Sequence, residues 1–157
     1  MSNKQIAILN NLLNEIEHNV PNKEMSNSKV SKVNVGWQLD HSLKVINGVC
    51  TILLKTKHEK YKRDFNFWRL ILFPFGYIPR GKAKAPKIVQ PDGHISVEDL
   101  HSQLEIARKH LDKISPLPKK SYFIHHIFGT LSKRQTLRFL EIHTKHHLKI
   151  VNDILKK

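Results

Sequence analysis

The sequence has very little cysteine, glycine or proline. Its single cysteine, Cys50, excludes an internal disulfide and fits a reducing compartment. The apolar neighbours Val49 and Ile52 favour a buried, inert thiol over a nucleophile. With only 6 Gly and 7 Pro, the chain is neither collagen-like nor of low complexity. The composition is therefore that of an ordinary globular protein.

Long apolar runs are also missing. The longest, Leu70–Phe75, contains Pro74 and is far shorter than the ~20 residues that a membrane-spanning helix needs. The segment Met1–Glu15 is polar and amphipathic, without the unbroken apolar core of a secretion signal. We therefore expect a cytoplasmic protein with no transmembrane span.

Acidic residues are scarce relative to basic ones. The chain has 13 Asp+Glu against 27 Lys+Arg, which gives a net charge of +14 at pH 7. This excess would attract nucleic acid, anionic membranes or an anionic small substrate. The cationic residues are scattered, with the densest clusters at Lys55–Arg63 and Arg80–Lys87, as on a solvated surface. No helix-turn-helix, RNA-binding sheet or zinc-finger pattern is present, so we expect no specific nucleic-acid partner.

Hydrophobic periodicity predicts four long helices in a single domain over residues 1–157. Apolar residues recur at helical spacing in residues 3–18, 34–57, 96–114 and 132–157. Ser96 and Ser132 stand where helix N-caps are expected, and residues 119–130 are predicted to form a loop. No convincing alternating strand is present. The predicted fold is an all-α four-helix bundle.

A dense aromatic and aliphatic block, Phe65–Phe75, lies between the second and third long helices. It predicts a short extra helix over residues 64–73, ended by Pro74. We favour a segment packed against the bundle. A lid over a pocket, an interfacial membrane anchor and a homodimer face are open alternatives.

The last helix carries histidines where apolar residues are expected. His143 and His147 are four residues apart and so lie on one face. They fill the gap of an apolar stripe made by Leu137, Leu140, Val151 and Ile154. His146 lies off this stripe, towards solvent or the stripe's rim. On the second helix, His41 lies on the apolar arc one turn after Trp37.

Bundles build metal sites from side chains on facing helices, and neutral imidazole is a common metal ligand. Together, His41, His143 and His147 would supply three nitrogen ligands and leave a fourth position open, which suits catalytic zinc. Imidazole also suits nickel, iron and copper. The alternative is a set of hydrogen-bonded core histidines.

Several motifs resemble those of a known superfamily. Val35–His41 resembles the W-x-x-x-H start of helix two in the DinB/YfiT-like metal-binding bundles, and His143–Leu148 resembles their final H-x-x-H-H signature. His125–Ser132 is similar to the H-P-x-F-G-x-L-s run of one uncharacterised branch, with His126 in place of the proline. Two further stretches that look like this branch are Phe73–Phe75 and Lys84–Lys87. The resemblance extends from about Val35 to the end of the chain.

This resemblance implies a DinB-type four-helix bundle with His41, His143 and His147 as metal ligands. Superfamily members with known activity are metal-dependent transferases of low-molecular-weight thiols, a thiol-dependent isomerase and related hydrolases, whereas the branch itself has no settled activity. We therefore expect a metal-dependent enzyme of the thiol S-transferase or hydrolase type acting on a small molecule. The expected metal is zinc, with nickel or iron as alternatives.

His125 is the candidate catalytic residue, as an acid/base or a substrate contact. Its alternative is a loop histidine that caps the last helix. The competing functions for the whole chain are a basic bundle that binds nucleic acid and a structural or stress-response bundle that binds metal without catalysis.

Overall fold

The computed structural model describes residues 2–80, 86–91 and 93–156, and this part of the chain is mostly helical. Its elements are α1 (Ser2–Asn19), α2 (Val35–Lys55), α3 (Phe67–Phe75), α4 (Val97–Ile114), β1 (Tyr122–His125), β2 (Gly129–Ser132) and α5 (Lys133–Leu155). The all-α prediction is thereby confirmed. Lys84 and Ala85, which contribute to the resemblance described above, lie outside the described residues.

The four long helices enclose one apolar core, and we call them the bundle. Helix α2 packs against α4 and α5, and α1 contacts the same two helices from the opposite side. The apolar stripes of all four helices meet in a single cluster of buried side chains. Fully buried members are Leu9, Leu13, Leu39, Leu43, Leu100, Leu104, Leu137 and Leu140. Because these stripes follow the helical period, α1 and α4 bury one face each, whereas α2 is buried on all sides from Gln38 to Leu43.

Polar side chains cap the helices where the sequence predicts. The Ser96 hydroxyl accepts a hydrogen bond from the Asp99 N–H at the start of α4. At the start of α5, Ser132 and Gln135 form a reciprocal capping box. Cys50 is fully buried, as predicted, and burial raises the pKa of its thiol to about 12, which disfavours the reactive thiolate.

The predicted loop over residues 119–130 is wrong, because this segment contains a β-hairpin. β1 and β2 pair antiparallel, with Tyr122 opposite Ser132 and His125 opposite Gly129. Each strand has four residues, which is too short to establish a period-two pattern in sequence. Pairing with a neighbouring segment, rather than local periodicity, makes these residues extended.

The extra helix is present, but its bounds differ from the prediction. α3 begins after Asn66, whose side chain accepts from the Arg69 N–H, and it continues through Pro74 to Phe75. Gly76 ends it with a left-handed backbone (φ 62°) and donates to the carbonyls of Leu72 and Phe73. Pro74 is tolerated because it lies in the last turn, where Gly76 supplies the closing hydrogen bonds.

Arg69 fastens α3 to the hairpin. Its guanidinium donates to the backbone carbonyls of Phe128 (3.0 Å) and Thr130 (2.8 Å) and to Asp64 Oδ1 (2.9 Å). The other oxygen of Asp64 accepts from the Thr130 N–H at 2.8 Å. Asn66 Nδ2 donates to the Ile127 carbonyl at 2.8 Å. These bonds fix the hairpin turn, which directly follows His125, against the start of α3.

We expect Gly129→Ala to lower the free energy of unfolding by about 2 kcal/mol or more. Gly129 has a left-handed backbone (φ 67°), and a Cβ there would collide with the Asp64 carboxylate. Urea unfolding measures the change. Gly93→Ala is the matched control, because Gly93 has a similar φ (73°) but open space around the added Cβ. Equal losses in both variants would refute the role assigned to the Asp64 contact.

Only part of the Phe65–Phe75 block is packed against the bundle. Leu72 and Phe73 pack on the core, whereas most other apolar side chains of the block are exposed. Among the described residues, no helix is both long and apolar enough to cross a membrane.

Candidate metal centre

Three histidines from two helices converge inside the bundle. His41 comes from α2, and His143 and His147 come from successive turns of α5. One ligand atom from each lies within 4.8 Å of the other two. The ring centroids are 5.1 Å (His41–His143), 4.6 Å (His41–His147) and 4.5 Å (His143–His147) apart. We call these residues the histidine triad, and its spacing allows all three rings to bind one metal ion.

Hydrogen bonds orient two rings of the triad. His41 Nδ1 lies 2.7 Å from the Val89 carbonyl oxygen, and His147 Nδ1 lies 2.6 Å from Gln38 Oε1. Because both oxygens can only accept, both Nδ1 atoms carry the proton and donate. Each Nε2 therefore keeps its lone pair, as a metal ligand requires.

The third ring, that of His143, has a buried nitrogen without a partner. Among the described residues, no atom forms a hydrogen bond with His143 Nδ1, although this atom is shielded from solvent. A buried polar atom left unsatisfied costs about 1–3 kcal/mol. A metal ion coordinated in the triad, or a water molecule, would offset this cost. The triad residues thus fit a divalent transition metal.

The triad is electrically neutral at physiological pH. Burial lowers the pKa of His147 to about 2, helped by His41 and His146 nearby. Burial, together with the other two triad rings, holds the pKa of His143 well below its ordinary value. The pKa of His41 is also lowered by burial, although its hydrogen bond to Val89 opposes the shift. Neutral imidazoles bind metal without first releasing a proton.

Gln38 is a site residue that the sequence analysis missed. It is buried, and its amide donates from Nε2 to Ser31 Oγ (3.3 Å) while Oε1 accepts from His147. The available signal was a polar residue on the apolar arc of α2, three positions before His41. Sequence alone does not indicate which ring such an amide would meet.

Part of the described chain between α3 and α4 contacts the triad. Val89, at the end of a single helical turn (Lys87–Val89), bonds to His41. Burial lowers the pKa of His146, the Ile78 backbone opposes that shift, and the His146 ring centroid lies 5.1 Å from that of His147. His146 is half-buried and so lies at the rim of the stripe rather than in open solvent.

His125 is the last residue of β1, next to the hairpin turn, and it does not cap the last helix, which is capped by Ser132. Its Nδ1 accepts from the N–H groups of Ile127 (3.0 Å) and Phe128 (3.2 Å), so its proton resides on Nε2. Burial, reinforced by His126, lowers the pKa of His125 to about 4. His125 can therefore donate a hydrogen bond from Nε2, while its Nδ1 holds the turn. Its catalytic role stays a prediction.

Trp37 connects the triad to a cleft. Its indole stacks on His41, with centroids 5.0 Å apart and planes at 22°. Trp37 also lines a cleft of about 500 Å³. The ionisable residues of this cleft are Lys23, Glu24, Lys32 and His94. None of the triad histidines lines this cleft. Because Lys23 is paired with Glu24, Lys32 is the lysine that can attract an anionic group here.

We expect Gln38→Leu to weaken metal binding by about 10- to 100-fold, because the His147 ring loses the acceptor that fixes its orientation. Gln38→Glu is the matched control, since it keeps an oxygen acceptor and should retain tight binding. Isothermal titration with zinc gives both affinities. Wild-type affinity in the leucine variant would show that the amide does not orient the ligand.

Comparisons with protein-family models, with curated proteins and with solved structures find no match for this chain. The function must therefore be inferred from the chain's own residues. The triad is the strongest evidence among them.

Proposed function

We propose that the protein binds one divalent transition-metal ion through His41, His143 and His147, with zinc as the first candidate. The convergence of three ligand atoms within 4.8 Å carries this proposal. The neutral rings, the two Nδ1 hydrogen bonds and the unpartnered His143 Nδ1 support it. Nickel and iron are the alternative metals, because imidazole ligands suit them as well.

We also propose that the chain is a DinB/YfiT-like bundle. Support comes from the placement of the ligands, with one on the second long helix and two on the last, as the resemblance implies. The additional helix α3 lies between α2 and α4, where the aromatic block predicts it. The hairpin, in which His125 ends β1, Phe128 lies in the turn and Gly129 begins β2, gives the branch-like motif a structural role.

The proposed activity is that of a metal-dependent enzyme of the thiol S-transferase or hydrolase type. Three protein ligands leave a fourth position, at which a divalent ion lowers the pKa of a bound water or thiol. The chain's own residues would do the rest. Val89 and Gln38 hold two rings in orientation, His125 offers an Nε2–H donor, and the cleft beside Trp37 can accept an anionic substrate group.

The metal content and the open position can be tested together. Protein purified without a polyhistidine tag should contain about one zinc ion per chain, as measured by inductively coupled plasma mass spectrometry. After cobalt exchange, a low-molecular-weight thiol should change the visible spectrum if the fourth position is exchangeable. Failure to bind zinc, nickel or iron would refute the site.

A spectrum unaffected by thiol, phosphate or pH would instead favour the alternative of a structural or stress-response metal protein. The other alternative, nucleic-acid binding, predicts affinity that falls steeply with salt and does not respond to metal removal.

A further inference from the structure

Helix α3 exposes an apolar face that no part of the described chain covers. Phe67, Trp68, Leu70 and Phe75 are 56%, 56%, 62% and 80% exposed. The preceding Phe65 is 80% exposed as well. The only charged side chain of α3 is Arg69, which is buried against the hairpin. The outward face of this helix therefore carries no charge, which is unusual for a surface helix.

This exposure is built into the fold, because both ends of α3 are fastened. At its start, Arg69 binds the hairpin carbonyls as described above. At its end, Arg138 Nη2 donates to the Phe73 carbonyl (3.2 Å), while Nη1 lies 2.8 Å from Glu141 Oε1. The positive Arg138 also complements the negative end of the helix dipole. The fold thus presents the aromatic residues outwards in a fixed arrangement.

A cationic segment immediately precedes this apolar stretch in the chain. Lys55, Lys57, Lys60, Lys62 and Arg63 are all exposed, and Glu59 is the only acid among residues 55–63. The segment contacts the start of β1, since Thr56 Oγ1 donates to the Tyr122 carbonyl (3.0 Å) and the Tyr61 ring lies 6.0 Å from that of Tyr122. The hairpin therefore holds both the apolar helix and the basic segment.

We propose that α3 docks this protein onto the surface of an anionic lipid bilayer. Aromatic and aliphatic side chains on one helix face enter the headgroup boundary, and neighbouring lysines are attracted to anionic lipids. The two signals are needed together, because a single short apolar anchor binds membranes only weakly. The protein would lie on the bilayer rather than span it.

Charge favours this occupant over a second copy of the chain. Each copy carries a net charge of +14, so a dimer through this face would bring two basic segments together. Single-stranded nucleic acid would stack on Phe67 and Trp68, but the aliphatic Leu70 and Ile71 offer no stacking surface. An anionic bilayer satisfies the charge and the apolar area at once.

Vesicle co-sedimentation tests the apolar contribution. The protein should bind vesicles that contain about one third phosphatidylglycerol and about two thirds phosphatidylcholine. Its affinity for them should be at least about tenfold higher than for vesicles of phosphatidylcholine alone. The double variant Trp68→Ser/Phe75→Ser should lose most of this binding. Ile106→Ser is the matched control, because Ile106 is also exposed (43%) but lies on α4, which packs against α1 and α2. The control should bind like the wild type.

A second pair of variants tests the charge. Lys60→Glu/Lys62→Glu should weaken binding by about tenfold or more, and about 1 M salt should weaken wild-type binding similarly. The control Lys109→Glu/Lys113→Glu changes the net charge equally on α4 and should have little effect. The His147→Ala variant should bind vesicles as tightly as the wild type does. The test of membrane binding is therefore independent of the metal site.

Four results would overturn the inference. The first is absence of vesicle binding, and the second is equal binding to neutral and anionic vesicles. The third is equal loss in the target and control variants, which would indicate attraction by net charge alone. The fourth is a concentration-dependent dimer, or a complex with single-stranded nucleic acid, that the Trp68→Ser/Phe75→Ser variant abolishes while vesicles have no effect.

Discussion

Replacing either His143 or His147 with alanine is expected to reduce the metal content from about one ion per chain to none. Each substitution removes one of three nitrogen ligands, and the remaining pair cannot form the three-histidine site typical of zinc proteins. His41→Ala should have the same effect, because its ring supplies the ligand from the opposite helix. Elemental analysis and zinc titration of the tag-free variants measure the loss.

His101→Ala is the control for these variants. His101 is exposed on α4, whereas the triad residues lie on α2 and α5. The loss of its imidazole should therefore leave the metal content unchanged. Circular dichroism should confirm that the triad variants keep their helices, because alanine is a strong helix former. If folded His143→Ala and His147→Ala proteins retain one ion per chain, the metal must bind elsewhere.

The metal-free protein is expected to lose stability as the pH falls from 7 to 5.5. The folded state lowers the pKa values of His41, His143 and His147, so below the ordinary value of about 6.5 the unfolded chain binds more protons. Stability is therefore fully present above this value and is lost on acidification. His143 and His147 should each contribute about 1 kcal/mol over this interval, or about 2 to 3 kcal/mol together, and His41 should act in the same direction.

Urea unfolding at several pH values measures this slope. His143→Leu should make it shallower by about one proton, because the leucine side chain does not titrate. Zinc should stabilise the wild type at pH 7 and lose its effect as protons compete for the ligands. A pH-independent free energy of unfolding would show that the triad is not buried and neutral in the folded protein.

The sequence was sufficient to predict the long helices, because their apolar residues repeat with the helical period. It also predicted that His143 and His147 lie on the same face of α5, since positions four apart share a helix face. His41 required one more step, namely that α2 and α5 turn their apolar arcs towards each other. That step rests on the general packing of bundles, and the contacts between α2 and α5 agree with it.

The hairpin and the true bounds of α3 could not be predicted in the same way. Tyr122–His125 is extended because it pairs with Gly129–Ser132, and α3 starts at Phe67 because Asp64 bonds to Thr130 instead of entering the helix. Both features depend on partners that are distant in sequence. Local propensity is too weak to reveal such partners over four residues.

The sequence by itself therefore determined the helical class, the caps at Ser96 and Ser132 and the candidate ligands, since these depend on short, regular spacings. Only the tertiary structure decided that Gln38 and Val89 orient the ligand rings and that the aromatic face of α3 points outwards. Side-chain hydrogen bonds and exposure depend on which segments meet in space. Regular spacing along the chain does not encode those encounters.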